Sequence, residues 1–158
     1  MANPILTSKC TLVPSDFYKD DCAGEYLAQV VVIGEGEVVG SVPVPQYGAH
    51  LVWAAPSGVE GEPELYRLLC ELPGCAEYNK ILFSWLDGIL FLTIAQGNTL
   101  LLANTFPAAD FATAQYYIFL SMKSLQLNPE VSTICAAMEL SSDQEMSLYH
   151  YFKAVVQK

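Results

Sequence analysis

The stretch from Lys80 to Phe106 constrains this chain more than any other. It reads as three apolar runs, KILFSWL, ILFLTIA and TLLLANTF, separated by Asp87-Gly88 and by Gln96-Gly97-Asn98. Asp-Gly between two such runs is a strong signal for a two-residue hairpin turn, because both central positions of that turn favour positive φ. The spacing therefore predicts a three-stranded antiparallel meander. Pro107 then suits the first turn of a helix whose pattern runs to about Leu127, where Asn128-Pro129 breaks it. Val131 to Met138 is a short apolar strand, and Ser141-Ser142-Asp143 before Gln144-Glu145 is a capping signature for a last helix through about Gln157.

A strand that follows a helical crossover returns parallel to a strand already in the sheet, with a right-handed connection. Residues 80–158 thus read β-β-β-α-β-α, an α/β arrangement around a mixed sheet. That is the order of the ribonuclease H-like core, which also underlies each half of actin-like ATPases.

The part before this core is irregular and acidic. Up to Glu77 it carries 11 acidic and 3 basic residues, and it holds seven of the nine prolines. Its elements must be short. Lys9 to Val13 reads as a strand, Phe17 to Leu27 as a short helix, and Gln29 to Ile33 as a strand buried on both faces. Val38 to Val44 and Ala49 to Ala55 read as further strands, and Glu62 to Leu72 as a helix ended by Pro73-Gly74. With 158 residues in all, the expectation is a single domain, 1–158, made of an irregular part (1–77) and the core (78–158).

Of these residues 53% are hydrophobic and the formal net charge is −10. Few basic residues exclude nucleic acid and anionic lipid as natural partners, since both recruit clustered Lys and Arg. No run is long enough to insert in a membrane; Ile81 to Ala95 is interrupted by Ser84 and Asp87-Gly88. No signal-peptide pattern opens the chain. The five cysteines contain no C-x-x-C pair, and His50 and His150 lie in no ligand spacing, so no metal is expected. Reduced cysteines in a cytoplasmic protein are the expectation.

The apolar excess concentrates in the helix after the meander. From Ala108 to Leu127 the only charges are Asp110 and Lys123. Phe111, Ala114, Ile118, Met122 and Leu125 form one stripe, while Tyr116, Tyr117, Phe119 and Leu120 load the other faces. Three arrangements would cover it: other elements of the same chain, a second copy, or a different protein. Tyr116, Tyr117, Phe119 and Leu120 are accordingly the interface candidates.

The run LLLANTF from Leu100 to Phe106, the pair Tyr116-Tyr117, and LQLNPE from Leu125 to Glu130 resemble the closing region of the domain-of-unknown-function 3822 family, uncharacterised proteins of the Bacteroidetes. The opening SKCTLVP, Ser8 to Pro14, resembles a further family segment. The resemblance implies an actin-like ATPase fold and no activity. The chain departs from the family in being shorter, and in having Thr113 where members usually carry an acidic residue.

Such a fold binds nucleotide through two glycine-bearing hairpins, whose backbone N–H groups approach the phosphates while an aspartate positions Mg²⁺. Asp87-Gly88 alone lies at a matching place, and followed directly by Ile89 it reads better as an ordinary tight turn than as a phosphate loop. Gly34-Glu35-Gly36 carries carboxylates that repel phosphate. Asp87 with Glu139 falls short of the carboxylate set of a two-metal nuclease. The cluster Glu60, Glu62 and Glu64 reads as a solvated loop and helix start. No catalytic residue and no cofactor is assigned. The expectation is a non-catalytic interaction or scaffold domain on a degenerate actin-like fold, acting on a protein partner or on itself as a homodimer. The alternative is a nucleotide-binding ATPase fragment that completes its site with a missing domain, using Asp87 and Gly88.

Overall fold

The computed structural model describes residues 4–158. In chain order the elements are β1 (Cys10–Pro14), α1 (Ala23–Ala28), β2 (Glu37–Val44), β3 (Ala49–Pro56) and α2 (Glu64–Glu71). They continue with β4 (Asn79–Leu86), β5 (Ile89–Gln96), β6 (Thr99–Pro107), α3 (Phe111–Ser124), β7 (Thr133–Ala136), α4 (Ser142–Tyr149) and β8 (Ala154–Gln157). Two sheets result: a five-stranded one in the order β6-β5-β4-β7-β8 and a three-stranded one in the order β1-β3-β2.

The meander forms as its turns dictate, with β4, β5 and β6 antiparallel in sequence order. After α3 the chain returns as β7, parallel to β4, with Leu82 opposite Cys135. Every residue from Ile81 to Ser84 and from Leu90 to Ala95 is buried. A strand buried on both faces requires cover on both faces. On one side Ile81, Phe83, Leu90, Leu92 and Ile94 pack under Ala114, Ile118 and Met122 of α3 and under Leu148 and Phe152. On the other, Leu82, Phe91, Ala95 and Cys135 meet Leu65, Leu68 and Leu69 of α2, with Val44 and Leu51 of the small sheet. Each fully buried Leu or Phe here contributes roughly 1.5–3 kcal/mol. The small sheet has an outer face too, where Val52 and Ala54 lie under Leu27 of α1. Within it Gly40 sits opposite Trp53, and a Cβ there would lie 2.6 Å from the indole. Only glycine allows that approach.

Several expected elements differ. Gln29 to Ile33 is not a strand. Its backbone turns off α1, with Val30 and Val31 N–H both donating to Leu27 O. Val30 and Val32 are 61% and 83% exposed while Val31 and Ile33 pack inward. A β-branched run signals apolarity but cannot itself supply a ladder partner. The Phe17–Leu27 helix shrinks to α1, preceded by turns. The strand expected over Val131–Met138 is confined to β7. The last helix stops at Tyr149, and Ala154–Gln157 instead forms β8, parallel to β7. Val155 and Val156 favour the extended backbone, and Phe152, almost fully buried, pins the crossing between helix and strand. The core is therefore β-β-β-α-β-α-β.

The helix after the meander also begins later than Pro107, which closes β6 instead. Its N-cap is Asp110, whose Oδ1 accepts from Thr113 N–H at 2.8 Å. That cap, with the extended backbone at Asp110, is what sets the start. Thr113, through its side chain and its backbone N–H, holds the Asp110 carboxyl below the usual carboxylate range. A lowered folded value means that the cap stabilises above the unfolded pKa of about 3.9 and that its contribution is lost as pH falls through the folded value. Asp110→Ala should therefore lower Tm at neutral pH, with the gap from the parent closing in melts below about pH 3.

Candidate functional site

Asp87 and Gly88 form the β4–β5 turn with φ of 52° and 73°, the primed hairpin geometry. One group of the turn, the Gly88 carbonyl, is committed to structure. Gly88 O accepts from Ala108 N–H at 2.8 Å, and Trp85 Nε1 donates to Ala108 O at 2.9 Å. The hairpin thus anchors the link between β6 and α3. Asp87 and Glu139 are both exposed, at the end of the sheet where β4 and β7 finish. Among the described residues no group of three or more His, Cys, Asp or Glu is placed to hold a metal ion. The second glycine-bearing turn is filled by the chain itself. The Glu37 carboxylate accepts from Gly34 N–H and from Lys9 Nζ, the latter at 2.6 Å. Both partners, Lys9 first, hold Glu37 below the usual carboxylate range. An anion-accepting donor of that loop is already satisfied.

Glu64 is the residue that sequence reasoning placed wrongly. It is fully buried rather than solvated. Its carboxylate accepts from Arg67 Nε at 2.7 Å and from an Arg67 terminal nitrogen, and from Ser84 Oγ at 2.6 Å. Arg67 also donates to Ala137 O at 2.9 Å. This cluster ties α2 to β4 and to the end of β7 across the inner face of the large sheet. The available signal was the Glu-x-x-Arg spacing at the start of a helix, which puts the two side chains on one face. All three donors to Glu64 are used to neutralise and fix it, so it is a joint between layers.

On the outer face of α3 the four aromatic and apolar candidates divide. Tyr117 stacks on Phe106 with ring centres 4.8 Å apart. Phe119 lies between Phe152, at 5.7 Å, and Tyr151, at 4.8 Å. Both are half-buried against the core. Tyr116 and Leu120, one helical turn apart, stay on the surface at 60% and 44% exposure. The same layer exposes Met146, Tyr149 and Tyr151 around α4. Gln115 and Ser147 hydrogen-bond between the two helices at 2.7 Å, which fixes their relative position. These α4 residues were not singled out from sequence because that segment was read as an unbroken helix.

The element order and the two-sided cover define an actin-like α/β fold, and the comparisons agree. A protein of Bacteroides thetaiotaomicron VPI-5482, described as having an actin-like ATPase fold and unknown function, matches 97% of this chain with a TM-score of 0.79 and 15% identity. The match covers 66% of that protein, so this chain spans just under two thirds of its length. The family model "Protein of unknown function (DUF3822)" matches residues 68–155, more than half of the chain. The chain belongs to that family, and neither the family nor the structural neighbour indicates a specific activity. No curated protein matches. Among the described residues no helix is long and apolar enough to cross a membrane.

Two outcomes follow from these sites. Arg67→Met should cost about 3–5 kcal/mol in urea unfolding, because it leaves the Glu64 carboxylate buried with Ser84 alone. Replacing Glu64 and Arg67 together by Met should cost less than the Arg67 change by itself. Addition of Mg-ATP at millimolar concentration should leave Tm unchanged; a rise of several degrees would demonstrate a nucleotide site, since a ligand of the native state must stabilise it.

Proposed function

We propose that the chain is a non-catalytic protein–protein interaction domain on a degenerate actin-like fold, and that it self-associates as a homodimer in the cytoplasm. The observation that carries this reading is the carboxylate-free apolar surface of α3, Tyr116 and Leu120, continued by Tyr151 against Phe119. Tyrosine and leucine held on a rigid helix present large contact area at low entropic cost. Within Phe111–Ser124 the one charge is Lys123. Two copies of a chain with net charge −10 approach most cheaply where neither presents carboxylates. A two-fold contact also needs one self-complementary patch, which a single helix face provides.

The alternative, a nucleotide-binding fragment completed by a missing domain, is supported by the fold likeness and by the greater length of the structural neighbour. The Gly34 turn, closed on Glu37, favours the first reading.

Sedimentation velocity across about 1–100 µM should show a monomer–dimer equilibrium. Tyr116→Glu combined with Leu120→Glu should leave far-UV circular dichroism unchanged and give a monomer throughout. A parent chain that stays monomeric at the highest concentration would sink the proposal.

A further inference from the structure

No cysteine among the five is in a disulfide, and their surroundings differ: Cys70 is exposed, Cys10 and Cys22 are half-buried, and Cys75 and Cys135 are buried. The last two are sixty positions apart in sequence, so no spacing rule would pair them. The fold does. Cys75 opens the irregular link between the turn at Leu72–Gly74 and β4, while Cys135 lies in β7 beside Leu82 of β4. Both line one cavity of about 310 Å³, walled by Ile81, Thr133, Ala154 and Val156, with the exposed Lys158 at its side. Cys75 and Cys135 also belong to one buried apolar cluster, together with Leu72, Leu82 and Ala137.

The charges around the pair are unequal. Cys75 is favoured as thiolate first by the Cys135 donor and then by the Lys158 and Lys80 ammonium groups. Lys80 Nζ is itself held on the carbonyls of Cys75 and Glu77. Burial and the Glu71 carboxylate oppose this, and Tyr47 faces Cys75 as a neutral phenol, but the thiol still settles at about 7. Cys135, with Cys75 and Glu77 as neighbours, is pushed well above the ordinary thiol range. Cys10, with no such partners, is pushed up to about 12 by burial. One thiolate beside one protonated thiol is the arrangement of a nucleophile and its resolving partner.

We propose that Cys75 and Cys135 form a thiol–disulfide exchange site, in which a low-molecular-weight disulfide entering the cavity is attacked by Cys75 and the resulting mixed disulfide is resolved by Cys135. In the first step the Cys75 thiolate bonds to one sulfur of the reagent, R–S–S–R, the reagent's S–S bond breaks, and the other sulfur leaves as R–S⁻ and takes a proton from water. In the second, Cys135 gives its proton to water and attacks the Cys75 sulfur, expelling the second thiolate. The protein dithiol loses two electrons to become one disulfide, and the reagent is reduced to two thiols. The apolar cavity walls, with the opposite charges of Lys158 and Glu77 both lining the cavity, favour small neutral reagents. Because Cys75 lies in irregular backbone, closing the bond draws that link toward β7 without breaking a ladder.

The test uses the full chain carrying Cys70→Ser, which removes the exposed thiol, and 2-hydroxyethyl disulfide as the probe. Acid-quenched samples are mapped by mass spectrometry without reduction. The expected result is a transient mixed disulfide on Cys75 that converts to a Cys75–Cys135 linked peptide, with a rate rising through about pH 7. Cys75 should react about 100-fold faster than Cys10. Cys135→Ala should stop the reaction at the mixed disulfide on Cys75. Modification of Cys75 no faster than of Cys10, or a mixed disulfide on Cys75 that persists while Cys135 is present, overturns the proposal. The time course in the Cys70→Ser chain decides between these outcomes even if Cys135→Ala does not fold.

Discussion

The fold depends on covering β4 and β5 from both sides. A strand in which Leu82 and Phe83, or Phe91 and Leu92, point in opposite directions and are all buried cannot belong to a surface sheet. The chain meets this demand asymmetrically. After the meander it supplies α3 and α4 to one face. For the other face it uses residues that precede the meander: α2, the turn at Leu72–Gly74 and the inner side of the small sheet. The acidic, proline-rich first part is therefore the second cover of the core, and the Glu64–Arg67–Ser84 cluster is where that cover is bolted to β4.

Much of this was legible because the signals were local. Asp87-Gly88 fixes a turn by backbone conformation alone, and the helix between β6 and β7 forces the parallel return. What was illegible depended on partners distant in sequence. Gln29–Ile33 looks more like a strand than β8 does, yet it finds no ladder, while Ala154–Gln157 finds one on β7. Glu64 sits in an acidic cluster whose other members are exposed, and only the placement of Arg67 and Ser84 around it makes burial affordable. The placement of Cys75 and Cys135 on one cavity likewise follows from the β4–β7 pairing, which no count of intervening residues encodes.

The all-round apolarity of α3 resolves into two causes. Most of it serves neighbours within the chain: Phe111 meets Trp85, Tyr117 meets Phe106, and Phe119 meets Phe152. These contacts lie along the flanks of the helix, beyond the single stripe that a lone helix on a sheet would need, because β6 rises on one side and the α4–β8 crossing on the other. Tyr116 and Leu120 are what such in-chain packing leaves over.

That remainder bears on the relation between fold and activity. An actin-like sheet positions nucleotide through its turns, and here the Gly34 turn spends its N–H on Glu37, while the Gly88 carbonyl anchors Ala108. A Gly34 N–H that already holds a carboxylate neutralised by Lys9 offers a phosphate neither a free donor nor a net positive field. Reopening it would mean expelling Glu37 from two charge-assisted contacts before any ligand contact formed. The α3 surface carries no comparable cost, since Tyr116 and Leu120 lose only water when covered. Between the glycine turns and the helix face, the helix face is thus the surface that can be covered at less cost.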